Sequence, residues 1–88
     1  MRINPDFTIQ KVGTSYVAVP IGDTSTHFHA MLRVNETGAL LWKMMAQKDC
    51  NEDELVEALL AEYEVAREIA ARDVHALVEQ MREKNLFV

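Results

Sequence analysis

The stretch Asn35-Glu36-Thr37-Gly38-Ala39-Leu40-Leu41-Trp42 divides this chain into two halves of different periodicity. Before it the apolar residues alternate, as in strands; after it they recur at helical spacing to the end. Asn35 is placed to cap a helix, its side-chain oxygen accepting from the amide of Thr37 or Gly38. Glu36 adds negative charge to the first turn, where the helix dipole favours it. A glycine is costly inside a helix, so Gly38 implies a close approach of backbone to something else. Leu40, Leu41, Met44 and Met45 then line one side, with Trp42 as the largest anchor.

Working outward, residues 1–34 read as three short strands. Phe7 to Val12 is followed by Gly13-Thr14, a two-residue gap suited to a tight hairpin with glycine in its first central position. Ser15 to Val19 is the second strand, closed by Pro20 and Gly22. Asp23 to Thr26 is a polar loop. The third strand, about His29 to Val34, sets Phe28, Ala30, Leu32 and Val34 against the helices and leaves His29, Met31 and Arg33 nearer solvent.

Three helices follow: Asn35 to about Gln47, a second opened by Asn51, and a third from about Ala66 to Lys84. Asn51 with Glu54 has the spacing of a capping box, and Leu55, Val56, Leu59, Leu60 and Tyr63 form that helix's apolar stripe. On the third helix Ile69, Ala70, Val74, Leu77, Val78 and Met81 are expected to face inward. Leu86, Phe87 and Val88 close over the core or add a short strand. Strands first and helices second exclude a doubly wound sheet. The expected class is α+β: a three-stranded antiparallel sheet followed by three helices, close to a winged helix-turn-helix.

At 88 residues this is a single domain, residues 1–88, of a size at which one core only just suffices. An apolar share of 49% with three glycines and two prolines argues for a folded chain. The lone Cys50 excludes an internal disulfide, and the chain opens with no leader-like apolar run, so a cytoplasmic location is expected. No apolar run approaches the roughly 20 residues needed to cross a bilayer.

The net charge of −5 is unevenly spread. Seven acids and no base lie between Asp49 and Glu64, leaving the remainder at +2. Nucleic-acid binders gather Lys and Arg on the docking face because phosphate neutralisation dominates their affinity. In the third helix Arg67, Arg72, Arg82 and Lys84 are cancelled by Glu68, Asp73, Glu79 and Glu83. A winged-helix DNA-binding regulator, the main rival reading, would thus meet the phosphates without electrostatic help.

Bond chemistry finds little support. His27 and His29 put two rings on one strand face about 7 Å apart, but two ligands are too few for a structural zinc; His75 belongs on a helix exterior. Glu52, Asp53 and Glu54 suit a helix start on dipole grounds alone. Cys50 follows Asp49, whose charge raises a thiol pKa. There is no nucleophile elbow or phosphate loop. Neither catalytic residues nor a metal or other cofactor is expected, and the chain does not read as an enzyme.

The run Val34-Asn35-Glu36-Thr37-Gly38-Ala39-Leu40-Leu41-Trp42 resembles the central motif of the PqqD-like family. The similarity continues through Glu54-Leu55-Val56-Glu57-Ala58-Leu59-Leu60, Tyr63, Asp73-Val74 and Leu86-Phe87. These small domains recognise the leader of a ribosomally made peptide before its modification. The resemblance implies a winged-helix fold and a leader that adds as a strand beside the third strand, in the groove between that strand and the third helix. Carried across, the strand side is Ala30, Met31, Leu32, Arg33 and Val34; the helix side is Asp73, Val74, Leu77, Val78 and Met81. Most of that helix stripe is expected to be core, with one edge lining the groove.

The residues support the same means: an edge strand offers unpaired backbone groups to an extended guest. Met31 and Met81 suit adaptable apolar contact, and Arg33 is placed to pair with an acidic leader residue. The implied partners are a precursor peptide and a maturation enzyme of the radical SAM class, with neither nucleic acid nor membrane. A homodimer by edge pairing or strand exchange is a further structural possibility. Tyr16 to Asp23 departs from the members serving quinone-cofactor synthesis. That points to the broader set serving other modified peptides, lasso peptides included.

Overall fold

The structure, a computed structural model, describes residues 1–21 and 32–88. Strands β1 (Phe7–Val12), β2 (Ser15–Pro20) and β3 (Leu32–Val34) precede helices α1 (Glu36–Gln47), α2 (Glu52–Glu62) and α3 (Arg67–Glu83). The expected loop at Asp23 to Thr26 and the start of the third strand, with His27, Phe28, His29, Ala30 and Met31, lie outside the described residues.

The sheet is antiparallel in the order β1-β2-β3. Val12 pairs with Ser15 across the hairpin, and Gly13 takes a φ of 63°. Positive φ at the first central residue costs glycine little, which is why it stands there. Leu32 and Val34 are buried while Arg33 between them is exposed, so β3 turns one face to the helices.

Each helix start follows from its cap. Asn35 is extended, and its Oδ1 accepts from the Gly38 amide at 2.9 Å and the Thr37 hydroxyl at 2.8 Å. At α2 the Glu54 amide donates to Asn51 Oδ1 (2.8 Å) and the Asn51 amide to Glu54 Oε1 (3.1 Å), satisfying two orphan donors reciprocally. Helix α3 ends in a Schellman turn: Asn85 has a φ of 58°, its amide donates to Arg82 O, and the Leu86 amide reaches Met81 O at 3.0 Å. That turn drives Leu86 into the core and lets Phe87 bridge to Ile3. The Ile3 amide also donates to Met45 O (3.0 Å), the Cys50 amide to Met1 O (2.8 Å) and the Val88 amide to Arg2 O (3.0 Å), so the N-terminal segment is tied to the last turn of α1 and to Cys50 beyond it, and the C-terminus to the N-terminal segment.

One core joins sheet and helices. Leu41, Trp42 and Met45 of α1, Leu55, Val56 and Leu59 of α2, and Ala70, Val74, Val78 and Met81 of α3 are buried around Leu32, Val34 and Ala18. Leu40, Met44, Leu60, Tyr63 and Leu77 pack partly buried against it. Ile69, expected inward, is 43% exposed. The buried stripe passes through Ala70, Val74, Val78 and Met81, and Ile69 stands about 100° round the helix from it.

Trp42 is 3% exposed at the centre of this core. Trp42→Ala should cost about 3–5 kcal/mol, a large part of the stability of a domain this size, visible as a collapse of the urea midpoint. Glu54 is held below the usual carboxylate range first by its bond to the Asn51 backbone and then by Lys48. Its contribution to folding is therefore complete at neutral pH and lost as the pH falls through that lowered value. Glu54→Gln should flatten the acid limb of a stability–pH profile.

Candidate functional site

Strand β3 is an edge. Among the described residues it is paired with β2 alone, and none donates to or accepts from its outer flank. Beside it opens a groove of roughly 440 Å³ between the end of β3, the first turn of α1 and the middle of α3. Arg33, Val34, Asn35, Thr37 and Gly38 form one wall, Asp73, Ala76, Leu77 and Gln80 the other, with Leu41 and Leu59 between them.

Gly38 sets how close these parts lie. A Cβ built there would meet the Val34 Cβ at 2.9 Å and Asn35 Oδ1 at 3.3 Å. The first turn of α1 therefore sits directly against the end of the edge strand.

The residues carried over from the family distribute unevenly. Arg33, Val34, Asp73 and Leu77 border the groove. Leu32 is buried beside it. Val74, Val78 and Met81 are fully buried in the core and are not among the residues bordering the groove. The flexible Met81 side chain therefore packs inside the protein. Ala30 and Met31 lie outside the described residues. Asn35, Thr37, Gly38, Leu41, Leu59, Ala76 and Gln80 border the groove without having been singled out for it. The signal for two of them was present: 73, 76, 77 and 80 repeat at helical spacing, one face round from the more apolar 70, 74, 78 and 81.

The charged residues bordering the groove are Asp73 and Arg33, the latter at the rim with its side chain exposed between the inward Leu32 and Val34. Asp73 lies 3.7 Å from Arg72, whereas the Arg33 side chain has no hydrogen bond or ion pair among the described residues. Elsewhere the arginines of α3 are engaged: Arg67 with Glu57 at 2.7 Å, Arg82 with Glu79 at 3.7 Å.

The described residues bordering the groove include no cysteine, serine, lysine or histidine. Cys50 is buried elsewhere; burial, more than the charge of Glu54 or of its neighbour Asp49, pushes its thiol above the ordinary value and keeps it protonated. His75 is exposed, with Nδ1 3.1 Å from Glu52 Oε1. The described residues hold no group of three or more His, Cys, Asp or Glu able to take a metal ion. No helix among them is long and apolar enough to cross a membrane.

The family model described as coenzyme PQQ synthesis protein D (PqqD) matches residues 16–86, from β2 to the end of the core. This chain belongs to that family. No curated protein matches it significantly. Two solved structures share this chain's fold. One, TbiB1 in complex with the TbiA(beta) leader peptide, is 21% identical with a TM-score of 0.72, covering 98% of this chain and 93% of that one. The other, lasso peptide synthetase B1 complexed with the leader peptide, is 26% identical with a TM-score of 0.67, covering 93% and 89%.

Gly38→Ala tests the close approach. A methyl group gains helix propensity, but it must force β3 and α1 apart, and overpacking of this kind costs about 1–3 kcal/mol. A net loss of about 1 kcal/mol is expected in urea unfolding. An unchanged or raised midpoint would show that the strand and helix have room between them.

Proposed function

We propose that this chain captures the leader of a ribosomally made precursor peptide by β-strand addition and presents it to a maturation enzyme of the radical SAM class, doing no bond chemistry itself. The observation that carries this reading is the flank of β3, unpaired among the described residues, beside a groove floored by Leu41 and Leu59. An extended guest there satisfies the free amides and carbonyls of the strand whatever its sequence, and the groove receives alternate side chains. Holding the leader in this way raises the local concentration of the segment to be modified. Family membership and the leader peptides named in the two similar structures support it. The physical setting is intracellular, where precursor and enzyme meet.

DNA binding is not favoured. Helix α2 carries five acids and no base, and the arginines of α3 are paired with acids on the same helix or on α2. Strand exchange or edge pairing between two copies would use the same flank of β3, and so would compete with peptide.

Titration of isotopically labelled protein with the precursor peptide encoded beside it should give saturable amide shifts in β3 and along the Asp73–Gln80 face of α3. Leu77→Glu should weaken that binding on the order of ten-fold with the fold intact by circular dichroism. Val12→Glu, on exposed β1 with β2 between it and β3, should leave it unchanged. A flat titration rules the reading out.

A further inference from the structure

Resting on the peptide-capture reading, we propose that Arg33 makes the β3 edge selective for a guest with an acidic residue flanked by apolar ones. Side chains of a strand alternate between its two faces. Leu32 and Val34 point to the core and Arg33 to the opposite face of the sheet. A guest strand on the open flank must follow the same alternation. Its residue across from Arg33 projects on the Arg33 face, with the two Cβ atoms about 5 Å apart. Its residue across from Val34 projects on the groove side, where Leu41, Leu59 and Leu77 await it.

The electrostatics favour a carboxylate at that one place. The β2 neighbour of Arg33 is Val17, which is apolar and buried, so β2 offers the guanidinium no counter-charge. Asp73, the acid of the opposite wall, is beside Arg72 and makes no ion pair with Arg33. A chain of net charge −5 repels acidic peptides in general. A guest carboxylate is then tolerated where it meets the guanidinium and disfavoured at neighbouring registers. Arg33 thus fixes register as well as composition, since sliding the guest by one residue would put its acid over the apolar floor.

A displayed library of random nine-residue peptides, selected on the intact protein and on Arg33→Glu, tests this. On the wild type, recovered sequences should be enriched in apolar–acidic–apolar triplets. Replacing the central acid of a recovered peptide by glutamine should weaken binding about five-fold by fluorescence anisotropy, and less at high salt. On Arg33→Glu the centre should change to Lys or Arg while the apolar flanks persist; Arg33→Gln, which adds no repulsion, should abolish the charge preference. Apolar alternation with a centre indifferent to charge, or a preference that Arg33→Glu leaves unmoved, overturns the role of Arg33 and leaves strand capture standing. Failure to enrich any peptide that shifts β3 amides overturns both.

Discussion

The contact between Gly38 and Val34 governs the geometry of everything around it. Val34 is the last residue of β3 and Asn35 alone separates it from α1. A one-residue connection leaves the chain no slack, so the helix must begin against the strand it has just left. Only a residue without a side chain allows that approach, and the Asn35 cap fixes the direction in which the helix departs. The groove is what remains between this tight corner and α3. Its shape is therefore inherited from a backbone constraint rather than from the side chains that border it.

The distribution of charge sets this molecule apart from a nucleic-acid binder of similar outline. Its outline is that of a winged helix, yet its acids gather on α2 and the bases of α3 are occupied by carboxylates. Among the described residues, what stays unsatisfied is the backbone of an edge strand, whose alternating amides and carbonyls a phosphate backbone, an acceptor only, cannot match. An extended polypeptide has the complementary groups. The shallow, half-polar walls of the groove favour a guest held mainly through its main chain, with selectivity left to a few side chains.

Much of this was legible in the sequence because local rules and tertiary demands agree. The caps at Asn35 and Asn51, the hairpin at Gly13 and the apolar stripes of α1 and α2 each follow from nearest-neighbour chemistry, and the structure has them. Helix α3 was harder to divide. Its apolar residues span more than one face, so periodicity alone could not separate Ile69, which is exposed, from Ala70, which is buried. Nor could it tell Val74, Val78 and Met81 in the core from Leu77 at the groove. The lining contributed by Asn35, Thr37 and Gly38 was hidden for a different reason: a motif that caps and packs gives no outward sign that it also borders a cleft. The Schellman turn at Asn85 had a readable cue, since asparagine tolerates the left-handed region. Its effect on Leu86 and Phe87 depends on long-range pairing with Ile3.

That pairing has a topological outcome. The first and last few residues meet at the end of α1 that holds Met45, whereas the groove opens at the end that holds Gly38. Met45 follows Gly38 by seven residues of α1, about 10 Å along the helix axis. Any polypeptide appended at either end would leave from one shared pole. Tethering there, in whichever order, would leave the groove by Gly38 unobstructed and place both kinds of appendage at nearly the same reach from it.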